Sequence, residues 1–315
     1  MNRSRNRSLW HRPLLLAGVL GSLCLMPGPA ADAAGPPVSL QTKMADIARV
    51  TQGPVGAAIV VVEGGGHVVA LHGEQRFPMQ SVYKLPIAMA VLHQVDRGGA
   101  LRLDQRVKIT QSDLVPPSRG SQIRNKYLNS TEMTVSELLG AMMGVSDGTA
   151  SDILLKLAGG PERVTGYIEG LGVRGIVVAT TEREMAHGEQ VQYRNWATPD
   201  AMAGLLRALQ EGKGLSAFSR RRLLGLMTAG KTGTDRIKGL LPTGTVVAHK
   251  TGSSGTVNGL TRATNDAGLV LLPDGRHLAV VVFVSDTKVD EATRDAVIAK
   301  IARTAWNDRA ALEGR

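Results

Sequence analysis

Cysteine is nearly absent from this chain of 315 residues, whose single cysteine is Cys24. One thiol cannot form an intramolecular disulfide, so a fold stapled by disulfides is excluded. Aromatic residues make up only 3% of the chain, which leaves Val, Leu, Ile, Ala and Met to fill the interior. A chain of this length can bury enough of them to hold one large domain, or two closely packed ones, without covalent help.

Long apolar runs are also missing. The nearest to one extends from Leu14 to Met26 and is too short to span a bilayer. It follows four arginines and precedes Ala31-Asp32-Ala33, a typical small-residue cleavage site. This order predicts a secretory signal peptide over residues 1–33, cut near Ala33 or Ala34. We therefore expect a periplasmic or secreted protein with no membrane span.

Acidic residues are fewer than basic ones, and the formal net charge is +10. The basic residues are scattered and do not form a stripe, so we expect no nucleic-acid partner. The densest run, Arg220-Arg221-Arg222, opens a helical pattern and is typical of a solvated helix face. The positive charge favours weak association with anionic polymers of the cell envelope.

Strand patterns lie at the two ends of the chain. Val55 to Val62 and Val68 to His72 flank a triple-glycine turn, which predicts a hairpin. A second hairpin is predicted over residues 267–284, and a strand over residues 244–251. Helical spacing closes the chain between residues 289 and 306. The ends should therefore form one antiparallel sheet that carries the terminal helices.

Helical patterns fill most of the middle of the chain, between residues 100 and 230. We predict an α/β domain from residues 37–80 and 235–315, and an inserted all-α domain from residues 81–234. Within the insertion, residues 178–197 form a long polar stretch with little periodicity, and loops of that length are usually functional. A cleft is expected between the two domains.

Ser81 and Lys84 lie three residues apart at the start of the apolar run 85–92. Positions i and i+3 share a face of a helix, so the two side chains should lie side by side. An apolar setting favours a neutral lysine amine, which could accept the serine proton and make the hydroxyl nucleophilic. The alternative is structural: Ser81 caps the helix and Lys84 extends to solvent.

A second candidate is the turn Ser146-Asp147-Gly148, which leads into a helical pattern. Ser146 could present another hydroxyl to the cleft as a proton relay. Alternatively, the turn is an N-cap in which Asp147 accepts the unpaired helix amides.

A third candidate, Lys250-Thr251-Gly252, follows a strand pattern and precedes Ser253. It offers a charge, a hydroxyl and an approachable backbone that could bind a ligand amide at a sheet edge. The same three letters occur at Lys231-Thr232-Gly233, but these residues lie in a predicted loop. We therefore select Lys250.

Ser-x-x-Lys, Ser-Asp-x and Lys-Thr-Gly, in this order, resemble the motif set of class A serine β-lactamases and penicillin-binding proteins. The resemblance covers nearly the whole chain after the signal peptide. It implies an antiparallel five-stranded sheet flanked by terminal helices, with an inserted all-helical domain. It also implies a monomer that acts on a small-molecule β-lactam. The seven histidines form no metal-binding motif, and we expect no metal or other cofactor.

Glu182 is the residue that favours a β-lactamase over a transpeptidase. Glu182-x-x-Met185 resembles the Glu-x-x-Leu of class A enzymes, whose glutamate activates the deacylating water. The spacings agree with the family, because Glu182 lies 36 residues after Ser146 and 68 before Lys250. Glu184 is the rival carboxylate, and it breaks both spacings.

The resemblance implies a role for each candidate. Ser81 attacks the lactam carbonyl, and its proton leaves through Lys84 or through Glu182 and a water. Ser146 passes a proton to the leaving nitrogen. The backbone amides of Ser81 and Ser253 form the oxyanion hole. The residues that hold the substrate are Gly148, Lys250, Thr251, Gly252, Ser253 and Arg236. Among them, Lys250, Thr251 and Ser253 hold the substrate carboxylate, and Arg236 matches a position where some members carry a carboxylate-binding arginine.

Three further stretches are similar to the extended-spectrum subgroup related to the PER and VEB enzymes. These stretches are residues 190–199, 238–242 and 264–266. The sequence also departs from the family: Gly148 replaces the usual asparagine, which implies altered substrate preference and weaker acylation by some inhibitors. Residues 116–120 lack the usual aromatic at the cleft mouth, and Thr180 and Ala186 replace a usual arginine and asparagine. A D,D-peptidase or penicillin-binding protein, a non-hydrolytic β-lactam sensor and a small-ester hydrolase stay open as alternatives.

Overall fold

The structure is a computed structural model that describes residues 38–127 and 129–312. The predicted signal peptide and Cys24 lie outside the described residues. The helices are α1 Leu40–Ala48, α2 Lys84–Asp96, α3 Gln122–Lys126, α4 Val135–Gly144, α5 Gly148–Leu157, α6 Pro161–Gly170, α7 Glu182–Met185, α8 Pro199–Gln210, α9 Ala217–Thr228 and α10 Glu291–Asn307. The strands are β1 Val55–Val61, β2 Val69–Leu71, β3 Phe77–Pro78, β4 Arg106–Ile109, β5 Thr131–Thr134, β6 Ile176–Val177, β7 Trp196–Ala197, β8 Val247–Ser253, β9 Thr256–Val257, β10 Leu260–Leu271 and β11 His277–Thr287.

The main sheet is antiparallel and is built from both ends of the chain. Its strand order is β2-β1-β11-β10-β8, and the short β9 pairs with β10 as a sixth strand. β11 lies at the centre, where Val282 pairs with Ala57 of β1 and with Asp266 of β10. Eight successive residues of β11 are buried, because both faces of the sheet are covered by helices.

Each face of the sheet has its own hydrophobic core. On one face, α1 and α10 contribute side chains such as Met44, Val297 and Ile301. The other core joins the sheet to the inserted helices. Its central helix is α2, in which nine successive residues from Lys84 to Leu92 are buried. A helix that is apolar on all sides fits such a central position.

The inserted segment contains short strands beside its helices. β4 pairs with β5, while β6, β7 and β3 form a small three-stranded sheet. Residues 178–197, which have little periodicity in sequence, contain α7, a 3-10 segment at Glu189–Arg194 and β7. Elements of two to six residues are too short to give a periodic signal, which is why the sequence did not indicate them.

The strand before the Lys-Thr-Gly motif begins later than predicted. β8 begins at Val247, because the preceding residues form a turn in which Gly244 has φ 84° and Thr245 donates to the Pro242 carbonyl. A left-handed φ and an internal turn bond cannot continue a strand. Among the described residues, no helix combines the length and the apolar composition needed to cross a bilayer.

Candidate active site

A cleft lies between the N-terminal end of α2, the loop before α3, the turn before α5, α7 and the end of β8. Its volume is about 580 Å³. Its lining includes Ser81, Lys84, Ser146, Glu182, Thr251 and Ser253. The structure therefore brings most of the predicted site residues to one place.

Ser81 lies in a 3-10 turn, Gln80–Tyr83, that runs directly into α2. The preceding Gln80 has φ 46°, a left-handed conformation that costs free energy for a residue with a side chain. The turn presents the Ser81 hydroxyl to Lys84, whose Nζ lies 3.0 Å from Ser81 Oγ. The two side chains therefore share a face, as the spacing predicts.

Lys84 is buried, with 1% of its surface exposed, and does not extend to solvent. Its Nζ donates to the Ser146 carbonyl at 2.8 Å and contacts Ser146 Oγ at 3.2 Å. Glu182 Oε1 lies 2.8 Å away and forms an ion pair with it. These oxygens compensate the ammonium for the water that it loses, so this end of the apolar helix is polar.

The Ser146-Asp147 turn caps α5 through Asp147 and also presents the Ser146 hydroxyl to the cleft. Asp147 caps α5 by accepting from the Ala150 amide at 3.0 Å, and also accepts from the Ile123 amide at 3.0 Å. Ser146 has φ 61°, which turns its hydroxyl into the cleft, 3.1 Å from Lys250 Nζ. Ser146 Oγ therefore lies between the two lysines of the site.

Lys250 is buried on β8 and donates to Ser146 Oγ and to the Thr251 carbonyl. Burial and the nearby charge of Lys84 lower the pKa of Lys250 to about 7. Thr251 Oγ1 lies 2.6 Å from Thr232 Oγ1. The second Lys-Thr-Gly triplet thus also contributes to the cleft, through Thr232, while its lysine is exposed. Sequence reasoning missed this role.

Gly252 allows β8 to approach the turn of the serine. A Cβ at this position would lie 2.4 Å from the Met79 carbonyl oxygen and 3.1 Å from the Ser81 amide nitrogen. A larger residue would separate the strand from the turn. The next residue, Ser253, is exposed at the end of the strand and faces the cleft.

Arg236 lies beside Ser253, is largely buried and contributes to the lining of the cleft. Its guanidinium donates to Ser253 Oγ at 2.8 Å, to the carbonyl oxygens of Gly252 and Asn265, and to Asp295 at 2.8 Å. The charge is therefore paired with Asp295. In this arrangement Arg236 orients the end of β8, and its nearest cleft-facing partner is the Ser253 hydroxyl.

Glu182 begins α7 and is buried. Oε1 pairs with Lys84, and Oε2 accepts from Arg119 Nε at 2.7 Å and from Arg119 Nη2. Burial alone would raise the pKa of Glu182, but the two cations hold it at about 2. The carboxylate is therefore ionised at neutral pH, and each of its oxygens faces a cation.

Asp152 on α5 is a positioning residue that sequence reasoning missed. Its carboxylate accepts from the backbone amides of Glu182 at 2.7 Å and Arg183 at 3.0 Å. Burial raises the pKa of Asp152 to about 6, although these two amides favour its charged form. The only signal in the sequence is an acid within the apolar pattern of α5, and that signal did not name its partners.

Thr180 replaces the arginine that is usual in the family, and other hydrogen bonds hold the loop before α7. Asn195 accepts from the amides of Ala179 at 2.7 Å and Thr180 at 3.0 Å. Thr180 Oγ1 donates to Glu184 at 2.8 Å, and Thr181 with Glu184 forms a capping box on α7. Glu184 therefore caps the helix and does not face the cleft.

Gly148 lies tightly packed at the start of α5. Its amide donates to the Gly120 carbonyl at 2.8 Å. A Cβ at position 148 would lie 3.0 Å from that carbonyl oxygen and 3.4 Å from Glu182 Cγ. A side chain here would therefore require the loop before α3 to shift slightly, and would lie in van der Waals contact with Glu182.

Comparison with known proteins gives a consistent result. Residues 39–308 match the model of the β-lactamase enzyme family. The extended-spectrum β-lactamase PER-1 of Pseudomonas aeruginosa is 42% identical over 232 residues, 74% of this chain and 75% of that protein. The β-lactamase VEB-1 of the same organism is 36% identical over 271 residues, 85% of this chain and 90% of that protein.

A solved structure has the same fold. The crystal structure of a β-lactamase from Chitinophaga pinensis DSM 2588 superposes with a TM-score of 0.83 at 48% identity. The match covers 86% of this chain and 99% of that one. It confirms the predicted fold class, and the relatives confirm the resemblance to the PER and VEB enzymes. The chain therefore belongs to the β-lactamase enzyme family and is a class A β-lactamase.

Proposed function

We propose that this β-lactamase opens the lactam amide through an acyl-enzyme on Ser81, which water activated by Glu182 then hydrolyses. One observation carries the proposal: Lys84 Nζ contacts both Ser81 Oγ at 3.0 Å and Glu182 Oε1 at 2.8 Å. The nucleophile of acylation and the base of deacylation are thereby connected through one ammonium group.

Acylation begins when Ser81 Oγ attacks the lactam carbonyl carbon and loses its proton. The ion pair between Lys84 and Glu182 supports Glu182, acting through a water, as the group that takes this proton. The charge of Lys84 then stabilises the oxygen that attacks. The amides of Ser81 and Ser253 are the proposed donors to the oxyanion.

The tetrahedral intermediate collapses when the bond between the carbonyl carbon and the nitrogen breaks. The nitrogen takes the electron pair of that bond and a proton from Ser146 Oγ. Ser146 regains a proton from Lys84, 3.2 Å from its hydroxyl, while Lys250 lies 3.1 Å from the same oxygen. Lys84 recovers its proton from Glu182 across their 2.8 Å contact, so Glu182 is again a carboxylate in the acyl-enzyme. This exchange of protons leaves the ester of Ser81 and an open ring.

Binding relies on the opposite side of the cleft. We propose that Lys250, Thr251 and Ser253 hold the carboxylate of the substrate, with Thr232 beside Thr251 and Arg236 fixing Ser253. Gly252 keeps the strand close to Ser81. Gly148 leaves one polar contact to the substrate amide unmade, a loss of about 1 kcal/mol, which supports an altered substrate preference.

Deacylation uses Glu182 as a general base. It removes a proton from water, the hydroxide adds to the ester carbon, and the bond to Ser81 Oγ breaks as that oxygen regains a proton. The likeness to PER-1, an extended-spectrum enzyme, supports a similarly wide range of β-lactam substrates. We also propose export by the signal peptide over residues 1–33 and action as a monomer.

The test is hydrolysis of a chromogenic cephalosporin by residues 34–315, with intact-mass detection of covalent adducts. We expect turnover by the parent and a trapped adduct on Ser81 in Glu182→Ala. Glu184→Gln is the matched control, because it keeps an acceptor oxygen for the α7 cap and should still turn over. A stable adduct in the parent would instead identify a penicillin-binding or sensing protein.

A further inference from the structure

Arg119 reaches into the cleft from the loop before α3. Nε and Nη2 of Arg119 both donate to Glu182 Oε2. Within the described part of the chain, the Arg119 side chain makes no other hydrogen bond. The Arg119 side chain is 17% exposed, whereas that of Glu182 is 3% exposed. Arg119 thus joins the carboxylate to the open mouth of the cleft.

The loop that carries Arg119 is held by backbone contacts on both sides. Arg124 donates to the carbonyl oxygens of Pro116 at 2.6 Å and Arg119 at 2.7 Å. The Gly148 amide donates to the Gly120 carbonyl at 2.8 Å. Because a Cβ at position 148 would contact both Gly120 and Glu182, the glycine leaves space for this loop to bring Arg119 to the carboxylate.

The resting pairing opposes deacylation. A general base needs a free oxygen within hydrogen-bond reach of the water. In this structure Oε2 of Glu182 accepts both hydrogen bonds of Arg119, while Oε1 faces the Lys84 ammonium at 2.8 Å. Lys84 is buried and also holds Ser81 and Ser146, whereas Arg119 is partly exposed. Arg119 is therefore the partner that can leave.

The proposed Glu182 mechanism gives this pairing a consequence for specificity. We propose that Arg119 is a positioning and specificity residue, which holds Glu182 in the free enzyme and exchanges onto β-lactams whose acyl side chain carries a carboxylate. Exchange of one carboxylate for another keeps the charge-assisted pair that a guanidinium makes best. A β-lactam with an uncharged acyl side chain offers Arg119 no new ion pair to replace the one with Glu182. Arg119 therefore leaves Glu182 less often.

The charges around Glu182 determine the pH test. The groups that face it from other elements are Lys84, Arg119, Asp152, Lys250 and Tyr83, and those on its own helix are Arg183 and Glu184. Removing Arg119 leaves Lys84 as its direct ion-pair partner, so the pKa of Glu182 should rise. The acid limb of kcat should then move to higher pH, since Glu182 has to be ionised to act as a base.

The experiment compares two penicillins that differ only in a carboxylate on the acyl side chain. Residues 34–315 are studied as the parent, Arg119→Gln and Arg119→Lys. Arg102→Gln is the control, because the Arg102 side chain is 72% exposed and forms a surface ion pair with Asp104. Acylation and deacylation rates are measured by intact mass, and kcat and KM are measured across pH. A thermal melt of each variant confirms that it folds.

We expect the parent to deacylate the charged penicillin about tenfold faster than the neutral one. Arg119→Gln should reduce that ratio to about twofold or less. It should also move the acid limb of kcat to higher pH. Arg119→Lys should lie between, and Arg102→Gln should behave as the parent. Equal rates for the two penicillins in the parent would overturn the proposal, as would an unmoved acid limb in Arg119→Gln. A parent that deacylates neither penicillin would contradict the Glu182 mechanism itself, and this proposal with it.

Discussion

Lys250 is a residue of the cleft whose charge changes near neutral pH. Burial and Lys84 lower its pKa to about 7, so it is charged below that pH and neutral above it. If Lys250 holds the substrate carboxylate, only its charged form binds well. We expect kcat/KM, which reports the free enzyme, to fall as the pH rises through about 7. The measurement is kcat/KM for a chromogenic cephalosporin between about pH 5.5 and 9.

The control for this prediction is Lys250→Arg. Arginine stays charged over the whole range, so its alkaline limb should disappear even if overall activity is lower. A flat profile in the parent, or the same limb in Lys250→Arg, would assign the pH dependence to another group.

At the scale of elements, α7 is four residues long and depends on its surroundings. Helices this short are not stable alone. Its capping box and the Asp152 carboxylate fix its first turn, and so fix Glu182. The position of the proposed base is therefore a property of α5 and the loop together.

Asp152→Ala tests this dependence. It removes the acceptor of two backbone amides, and we expect a loss of about 1–3 kcal/mol in the free energy of unfolding. Deacylation should slow by more than acylation, because the deacylating water depends on Glu182 alone, whereas acylation also relies on Ser81 and Lys84, which do not lie on α7. Urea unfolding and pre-steady-state bursts are the measurements. Equal slowing of both steps would contradict the prediction.

Asp152→Asn removes the charge but only one of the two hydrogen bonds, because Oδ1 accepts from Glu182 and Oδ2 from Arg183 and asparagine keeps one acceptor oxygen. The folded pKa of Asp152, about 6, lies above the reference value of 3.8. The folded state therefore binds more protons between these values, and this residue's contribution to stability falls as pH rises through that window. Asparagine should remove that dependence.

At the scale of the whole molecule, two hydrophobic cores share one sheet. The strand β11 has buried side chains in both, such as Val281 in one and Val282 in the other. Loss of either core would expose the opposite face of the same strands. The sequence division into 37–80 with 235–315 and 81–234 remains a prediction about domains, and it does not require that they unfold separately.

We expect one cooperative unfolding transition in residues 34–315. Trp196 lies beneath the Arg76 guanidinium, and Trp306 lies on α10 in the other core. Single-tryptophan variants, Trp196→Phe and Trp306→Phe, then report different parts of the molecule. Their urea midpoints, each referred to its own circular dichroism curve, should coincide. Separate midpoints would show that the two parts unfold independently.

Local geometry explains what could be predicted from the sequence. Ser81 and Lys84 come together because i and i+3 share a helical face, and Asp147 caps α5 as its residue type favours. The β11 strand could be predicted from the sequence because its run of β-branched residues is bounded by turns. These features need only neighbouring residues, and so the sequence alone determined the two hairpins, the main helices and the motif residues.

Tertiary packing decided the rest. Arg119 and Glu182 are separated by 63 positions in the sequence. Asp152 lies 30 positions from Glu182, whose backbone amide donates to it. Arg236 meets Asp295 across 59 positions, and Thr232 meets Thr251 across two different elements. No local pattern encodes which distant charge will neutralise another, because that depends on how loops cross the finished sheet and helices. The charge state of Glu182, the proposed base, depends on its contacts with Lys84 and Arg119. Only the tertiary structure determines those contacts.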